Sequence, residues 1–230
     1  YGLHILGCNV TVPYKNDVIP YLAQIDELAA KMGSVNTLVR VDGGYKGYNT
    51  DMTGLYRAMS SDGVSIQGEQ VIVLGAGGVG RAVAFMCAAK GAAHVWLLNR
   101  TVEKAAEVAK EVNLAEGRSC VETLAMSDYD KLPDEKYLVI QSTSVGLYPH
   151  VEDAVITDPA FYHKVKAGYD LIYRPWETRF MQLVKEQGAP AYNGLKMLLY
   201  QGIEAFELWN QCKIEDESAY KLYEMLRTTV

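Results

Sequence analysis

The sequence predicts an α/β fold built on parallel strands, and three observations carry that expectation. From Gln70 onward, short apolar runs alternate with helical segments, the texture of βαβ units. The run Gly75-Ala76-Gly77-Gly78-Val79-Gly80 stands between one such strand and the helix after it. The next strand closes on Asn99-Arg100-Thr101, with Lys104 one helical turn further on. In that context the glycines read as a dinucleotide fingerprint. They allow a tight turn and let backbone N–H groups and the positive helix end approach a pyrophosphate. Alone, the run also fits a strand–helix turn without ligand.

The elements follow in order. Ile5 to Val12 is apolar enough for a buried strand, ended at Pro13, which has no ladder N–H. Over Asp17 to Met32, the residues Ile19, Leu22, Ile25, Leu28 and Ala29 recur at helical spacing, with Gly33 as the stop. Val35–Val41 and Tyr45–Tyr48 flank Asp42-Gly43-Gly44 as a β-hairpin. Asp51 falls where that hairpin passes into a helix beginning near Thr53, and Ser60-Ser61-Asp62-Gly63 is a loose connector. Strands are expected at Val71–Leu74, Val95–Leu98, Tyr137–Ile140 and Tyr169–Tyr173. Helices are expected at Gly80–Lys90, Val102–Val112 and Glu177–Gln187, then from Leu195 to Leu226 with a polar break around Gln211 to Asp216.

Bulk properties narrow the function. A chain of 230 residues, 49% hydrophobic and 22% charged, is ordinary for one large globular domain or two small ones. A net charge of −6 disfavours a nucleic-acid or anionic-membrane surface. Cys8, Cys87, Cys120 and Cys212 lie far apart and read as reduced thiols of a cytoplasmic protein. No apolar run approaches the roughly 18 residues of a membrane span, and no secretory signal is visible. His4, His94, His150 and His163 lack metal-ligand spacing, so no metal is expected, and no Gly-x-Ser-x-Gly elbow supports hydrolysis. The chain opens at Tyr1 without an initiator Met and reaches a functional-looking motif by Asn9, which implies a further N-terminal segment.

The chemistry-bearing residues cluster after strands. Asn9-Val10-Thr11-Val12-Pro13-Tyr14-Lys15 places a lysine just past a proline-ended apolar run, and Gly47-Tyr48-Asn49-Thr50-Asp51 supplies a carboxylate. Reduction of a ketone by hydride leaves an alkoxide that needs a proton, and a lysine beside a carboxylate and a bound polyol can provide it. Singly, Lys15 also fits a solvated surface lysine and Asp51 a helix cap. The neighbouring pairs Asn9/Thr11, Asn36/Thr37 and Asn49/Thr50 tip the reading toward a ligand site, since ligands bind at strand ends in α/β sheets. On the nucleotide side, an NAD-selective fold ends the second strand near Asp or Glu. Asn99, Arg100, Thr101 and Lys104 stand there instead, donors without a carboxylate to repel a 2′-phosphate, so NADP is favoured over NAD. Thr101 also reads as a helix N-cap, and Arg100 as a solvated residue.

Together these motifs resemble the shikimate dehydrogenase family over essentially the whole chain. Further matching runs are Gly33-Ser34-Val35-Asn36-Thr37, Ser142-Thr143-Ser144-Val145-Gly146, Asp170-Leu171-Ile172-Tyr173-Arg174-Pro175 and Gly194-Leu195-Lys196-Met197-Leu198-Leu199-Tyr200-Gln201. The resemblance implies two α/β domains flanking a cleft. One is a Rossmann-like NADP-binding domain (52–193), the other a substrate-binding domain (1–51 and 194–230) incomplete at its N-terminus. It implies NADP-dependent interconversion of 3-dehydroshikimate and shikimate in aromatic amino-acid biosynthesis. A quinate/shikimate enzyme and a non-catalytic NADP-binding fragment are the alternatives. It assigns Lys15 and Asp51 as the catalytic pair and gives Thr11, Asn36, Asp51, Tyr173 and Gln201 to the substrate. It gives Gly75, Ala76, Gly77, Gly78, Val79, Asn99, Arg100, Thr101, Lys104, Leu171 and Gly194 to the cofactor. The partner implied is a small molecule, with a homodimer allowed. Tyr173 also fits a core residue and Gln201 an ordinary buried amide. Two departures stand out. Family members carry a Ser-x-Ser segment for the substrate carboxylate ahead of the position of Tyr1, and without it the substrate domain is expected to be unstable and affinity poor. Gln141 also stands where Asn is usual.

Overall fold

The structure, a computed structural model, describes residues 5–229. It divides into two compact units, one running through Asp62 and resuming at Lys196, the other Gly63–Leu195. The boundary expected after Asp51 falls at Asp62 because the helix that starts at Thr50 continues to Ser61 and packs inside the first unit.

The first unit opens with β1 (Gly7–Asn9), β2 (Gln24–Ile25), α1 (Glu27–Met32), β3 (Thr37–Val41), β4 (Gly44–Tyr48) and α2 (Thr50–Ser61). Its sheet has the order β1-β3-β4-β2, antiparallel except for the β2–β4 pair. The hairpin is as expected: Val41 faces Gly44, and Gly43 takes a φ of 82° that suits glycine in the turn. The opening strand differs from expectation. It shrinks to three residues, and Ile5, Leu6 and Val12 are 47%, 57% and 76% exposed. Among the described residues β1 lies at the sheet edge and pairs only with β3.

The helix expected over Asp17 to Met32 is also broken. A 3-10 turn at Ile19–Tyr21 and strand β2 replace its first half. Pro20 removes a helical donor and clashes with the preceding turn. Meanwhile Ala23 and Asp26 donate their N–H groups to Tyr45 and Gly47 beside β4. The helix proper starts where the Asp26 carboxylate accepts from Leu28 and Ala29, and it ends at Gly33 with φ 59°. Ile19, Leu22 and Ile25 therefore line a small core around Ala29, Val35 and Leu38 rather than one helix face. α2 begins at Thr50 instead of Thr53 because Asn49 caps it, accepting from Met52 N–H at 3.2 Å.

The second unit comprises β5 (Gln70–Leu74), α3 (Gly78–Ala89), β6 (His94–Asn99), α4 (Val102–Glu116), β7 (Val121–Ala125), β8 (Tyr137–Gln141), α5 (Pro159–Tyr162), β9 (Val165–Asp170), α6 (Arg179–Glu186) and β10 (Ala191–Tyr192). The six strands form one parallel sheet in the order β10-β9-β8-β5-β6-β7. The chain winds outward from β5 to β7, then returns to lay β8 on the other side of β5. That reversal opens a crevice at the carboxyl ends of β5 and β8, where nucleotides bind in such sheets. The core packs Ile72, Leu74, Leu98, Val139, Phe161, Phe180 and Val184, each large buried side chain contributing roughly 1.5–3 kcal/mol. Gly168 lets α6 lie close on β9, since a Cβ there would meet Val184 and Phe180. The expected strand Tyr169–Tyr173 ends at Asp170, whose side chain turns inward to accept from Ile172 N–H.

Two helices complete the first unit, α7 (Leu195–Asn210), which begins at the boundary, and α8 (Asp216–Arg227). Trp209 Nε1 donates to the Leu38 carbonyl at 2.9 Å, tying α7 to β3. Lys196 pairs with Asp62 at the end of α2.

Candidate active site

Lys15 sits in the turn between Thr11 and Val18, and main-chain bonds anchor that turn. Its carbonyl accepts from Val35 N–H at 2.8 Å, while Asn16 donates its side-chain amide to the Gly33 carbonyl. Asp51 lies in the first turn of α2, where the positive helix end favours a carboxylate. It lies where the hairpin passes into the helix, as expected, but is not the cap, since Asn49 does the capping. Lys15 Nζ and Asp51 Oδ2 are 2.6 Å apart, with side chains 26% and 22% exposed. The pair is held yet open to a ligand.

Beside it lies a polar knot. The Asn36 carboxamide oxygen accepts from Thr50 N–H (2.8 Å), Thr50 Oγ1 (3.1 Å) and Thr37 Oγ1 (3.0 Å). Asn9 donates to the Asn36 carbonyl and to Thr37 Oγ1. With its oxygen used up, Asn36 keeps its amide nitrogen as a donor without a partner among the described residues. Val10 N–H on the Asn36 carbonyl brings exposed Thr11 alongside. Gln201 comes to α2 through Gly54, one turn past Asp51. The structure thus gathers Thr11, Lys15, Asn36, Asp51 and Gln201 in one unit. Tyr173 belongs to the other, in the loop after β9 and 37% exposed, so it is not core.

On the nucleotide side, Gly75 takes φ 101° and Gly77 precedes the first turn of α3. A Cβ on Gly80 would strike the Gly75 carbonyl, so that glycine serves helix–strand packing. Gly77 and Gly78 have open space where a Cβ would go, and Val79 is 49% exposed. The helix therefore starts two residues earlier than expected, with its N–H groups accessible. Asn99 locks this loop to β6: its oxygen accepts from Ala76 N–H at 3.1 Å, and its amide donates to the Thr101 carbonyl at 2.8 Å. Thr101 occupies the N-cap position of α4 without a side-chain capping bond. Arg100 and Lys104 are exposed, with no ion-pair partner among the described residues. An open glycine cradle on a helix start, with two uncommitted cations at the end of β6, fits a dinucleotide carrying a 2′-phosphate. Leu171 and Gly194 are adjacent, since a Cβ on Gly194 would meet the Leu171 carbonyl.

Sequence reasoning named three further residues without giving them a role. Gln141 is fully buried and joins two strand-end loops: its oxygen accepts from Thr143 N–H at 2.5 Å, and its amide reaches the Val145 carbonyl and Asp170. Asp170, also fully buried, accepts from Thr178 Oγ1 (2.6 Å) and Ile172 N–H (2.9 Å). Burial pushes its carboxyl up to about 6 against those hydrogen bonds. Ser142 Oγ donates to the Leu74 carbonyl at 2.7 Å, fixing the turn after β8 to the glycine loop. The unusual Gln at position 141 was the available signal for this network. Among the described residues no group of His, Cys, Asp and Glu could hold a metal, and His4 lies outside them.

Three family models match the chain. "Shikimate / quinate 5-dehydrogenase" covers residues 58–156, "Shikimate dehydrogenase substrate binding domain" 2–38, and "Shikimate 5'-dehydrogenase C-terminal domain" 194–220. A shikimate dehydrogenase (NADP(+)) of Moorella thermoacetica is 40% identical over 210 residues, which are 90% of this chain and 70% of that protein. Among solved structures, a chorismate mutase/shikimate 5-dehydrogenase fusion from Clostridium acetobutylicum superposes with a TM-score of 0.87 at 32% identity, covering 97% of this chain and 78% of that one. The shikimate 5-dehydrogenase of Listeria monocytogenes, solved with shikimate and NAD, gives 0.87 at 28% identity, covering 96% and 78%. On these likenesses the chain belongs to the shikimate dehydrogenase family.

Proposed function

We propose that this protein is an NADP-dependent dehydrogenase interconverting shikimate and 3-dehydroshikimate. The observation that carries the reading is the Lys15–Asp51 pair at 2.6 Å beside the Asn36–Thr50 knot. When bound, NADPH would supply the hydride for reduction and NADP⁺ would accept it in the oxidising direction. The chain's own work is with the proton. In the reducing direction the Lys15 ammonium donates to the alkoxide oxygen formed at the former ketone; in the oxidising direction the neutral amine removes the hydroxyl proton. Asp51 orients the ammonium and accepts from a substrate hydroxyl. The Asn36 amide donates to a second one, and its direction is set by the three donors that hold its oxygen. Thr11 and Gln201 line the substrate, with Gln201 accepting through Oε1, because its amide is turned to the Leu198 carbonyl.

For the nucleotide, Gly75 to Val79 receive the pyrophosphate, and Arg100 with Lys104 the 2′-phosphate. A cytoplasmic setting suits the four free cysteines among the described residues. The test is NADPH formation from NADP⁺ with shikimate and, separately, with quinate. Turnover is expected with shikimate. Turnover with quinate alone would replace the substrate, and none with either would leave a nucleotide-binding chain without this activity.

A further inference from the structure

Two helices of the first unit meet main chain to main chain at one point. A Cβ built on Gly54 of α2 would lie 2.5 Å from the Gln201 nitrogen and 2.8 Å from its Cα on α7. Carbon contacts settle near about 3.5–4.0 Å, so any side chain there forces the helices apart. No rotamer change can relieve it, because the obstacle is backbone. The contact is also braced. Arg57, one turn past Gly54, donates to Glu204 (3.3 Å) and Glu207 (3.1 Å), which follow Gln201 by one and two turns. Its other nitrogen reaches the Ile214 carbonyl at 3.1 Å. Asp51 precedes Gly54 by one turn, so one face of α2 carries both the carboxylate at Lys15 and the notch that receives α7.

We propose that Gly54 is a positioning residue: by admitting the α7 backbone it sets the Gln201 carboxamide against the Lys15–Asp51 pair. The inference rests on the substrate reading above and adds to it the element that fixes Gln201. A Cβ at position 54 needs about 1 Å of extra room, and a reacting group misplaced by that distance can lose about 100-fold in rate.

The test is a double-mutant cycle on Gly54→Ala and Gln201→Ala, read by steady-state oxidation of shikimate with NADP⁺. Gly54→Ala is expected to lower kcat/KM for shikimate by roughly 10–100-fold, chiefly through KM, with the NADP dissociation constant unchanged. The double variant is expected to be no worse than Gln201→Ala alone. Additive losses, or a parent-like KM for shikimate in Gly54→Ala, overturn the proposal. If Gly54→Ala does not fold, Arg57→Lys carries the test, since it keeps the charge but loses the fork that braces α7. A raised shikimate KM with unchanged NADP binding is then expected, and a parent-like KM overturns the proposal. A crystal structure of Gly54→Ala decides the geometry without turnover: displacement of α7 at Gln201 supports it, and an unmoved backbone refutes it. If the parent itself fails with shikimate, the functional reading falls, and the crystal structure still decides the helix contact.

Discussion

Lys15 and Asp51 owe their 2.6 Å separation to ties on both sides: the Lys15 carbonyl is held by Val35, and Asp51 rides the first turn of a helix capped by Asn49. Removing the amine removes the proposed proton carrier and leaves that scaffold in place. Lys15→Ala is therefore expected to lower kcat by roughly 10²–10⁴-fold, the usual worth of general acid–base catalysis, without weakening NADP binding. Steady-state kinetics beside nucleotide titration check both halves, and undiminished kcat would take Lys15 out of the mechanism. Asp170 makes a second residue-level prediction. Its folded value of about 6 lies above the ordinary 3.8. Between those pH values the folded chain keeps a proton that the unfolded chain has released, so this group's contribution to stability falls as pH rises through the window. The size is on the order of 3 kcal/mol. Asp170→Asn cannot ionise, so its stability relative to the parent should climb from pH 4 to pH 6 in denaturant titrations. A pH-independent difference would contradict this.

At the scale of elements, α7 is held to α2 by the Gly54 notch and by Glu207, which is 4% exposed and accepts from Arg57, Lys213 and Ile214 N–H. Glu207→Gln weakens three charge-assisted bonds at once and is expected to cost about 2–3 kcal/mol of unfolding free energy, measurable in urea. A loss below about 0.5 kcal/mol would mean that solvent replaces those bonds. Local sequence rules served well where one element decides its own shape. Gly33 ends α1, Asp42-Gly43 turns the hairpin, and the break before α8 lies where polar residues gather. They failed where a neighbour decides. Ile19, Leu22 and Ile25 have helical spacing, yet Pro20 and the hydrogen bonds to Tyr45 and Gly47 draw that stretch along β4. β7 went unforeseen because Val121–Ala125 carries Glu122 and Thr123 in a short run whose pairing with β6 no local signal announces.

For the whole molecule, the two units divide the work. The first, discontinuous in sequence, carries the Lys15–Asp51 pair and the Asn36–Thr50 knot proposed for the proton and the substrate hydroxyls; the second carries the glycine cradle and the cations Arg100 and Lys104 proposed for the 2′-phosphate. Most of the candidate site residues could be named from the sequence because they sit in short motifs near strand or helix ends; Gln201, midway along α7, could be named only through the family resemblance. The bonds that orient them were not: Thr37 with Thr50, Gln141 with Asp170, and Gly54 against Gln201 join positions far apart in sequence. The central claim is that both halves serve one NADP-linked oxidation of shikimate. The most direct measurement is the initial rate of shikimate-dependent reduction of NADP⁺ against that of NAD⁺ under matched conditions. Turnover with NADP⁺ is expected, at a kcat/KM roughly 10–100-fold above that with NAD⁺, the worth of charge-assisted contacts to one phosphate. No turnover with shikimate, or equal use of the two nucleotides, would contradict the account.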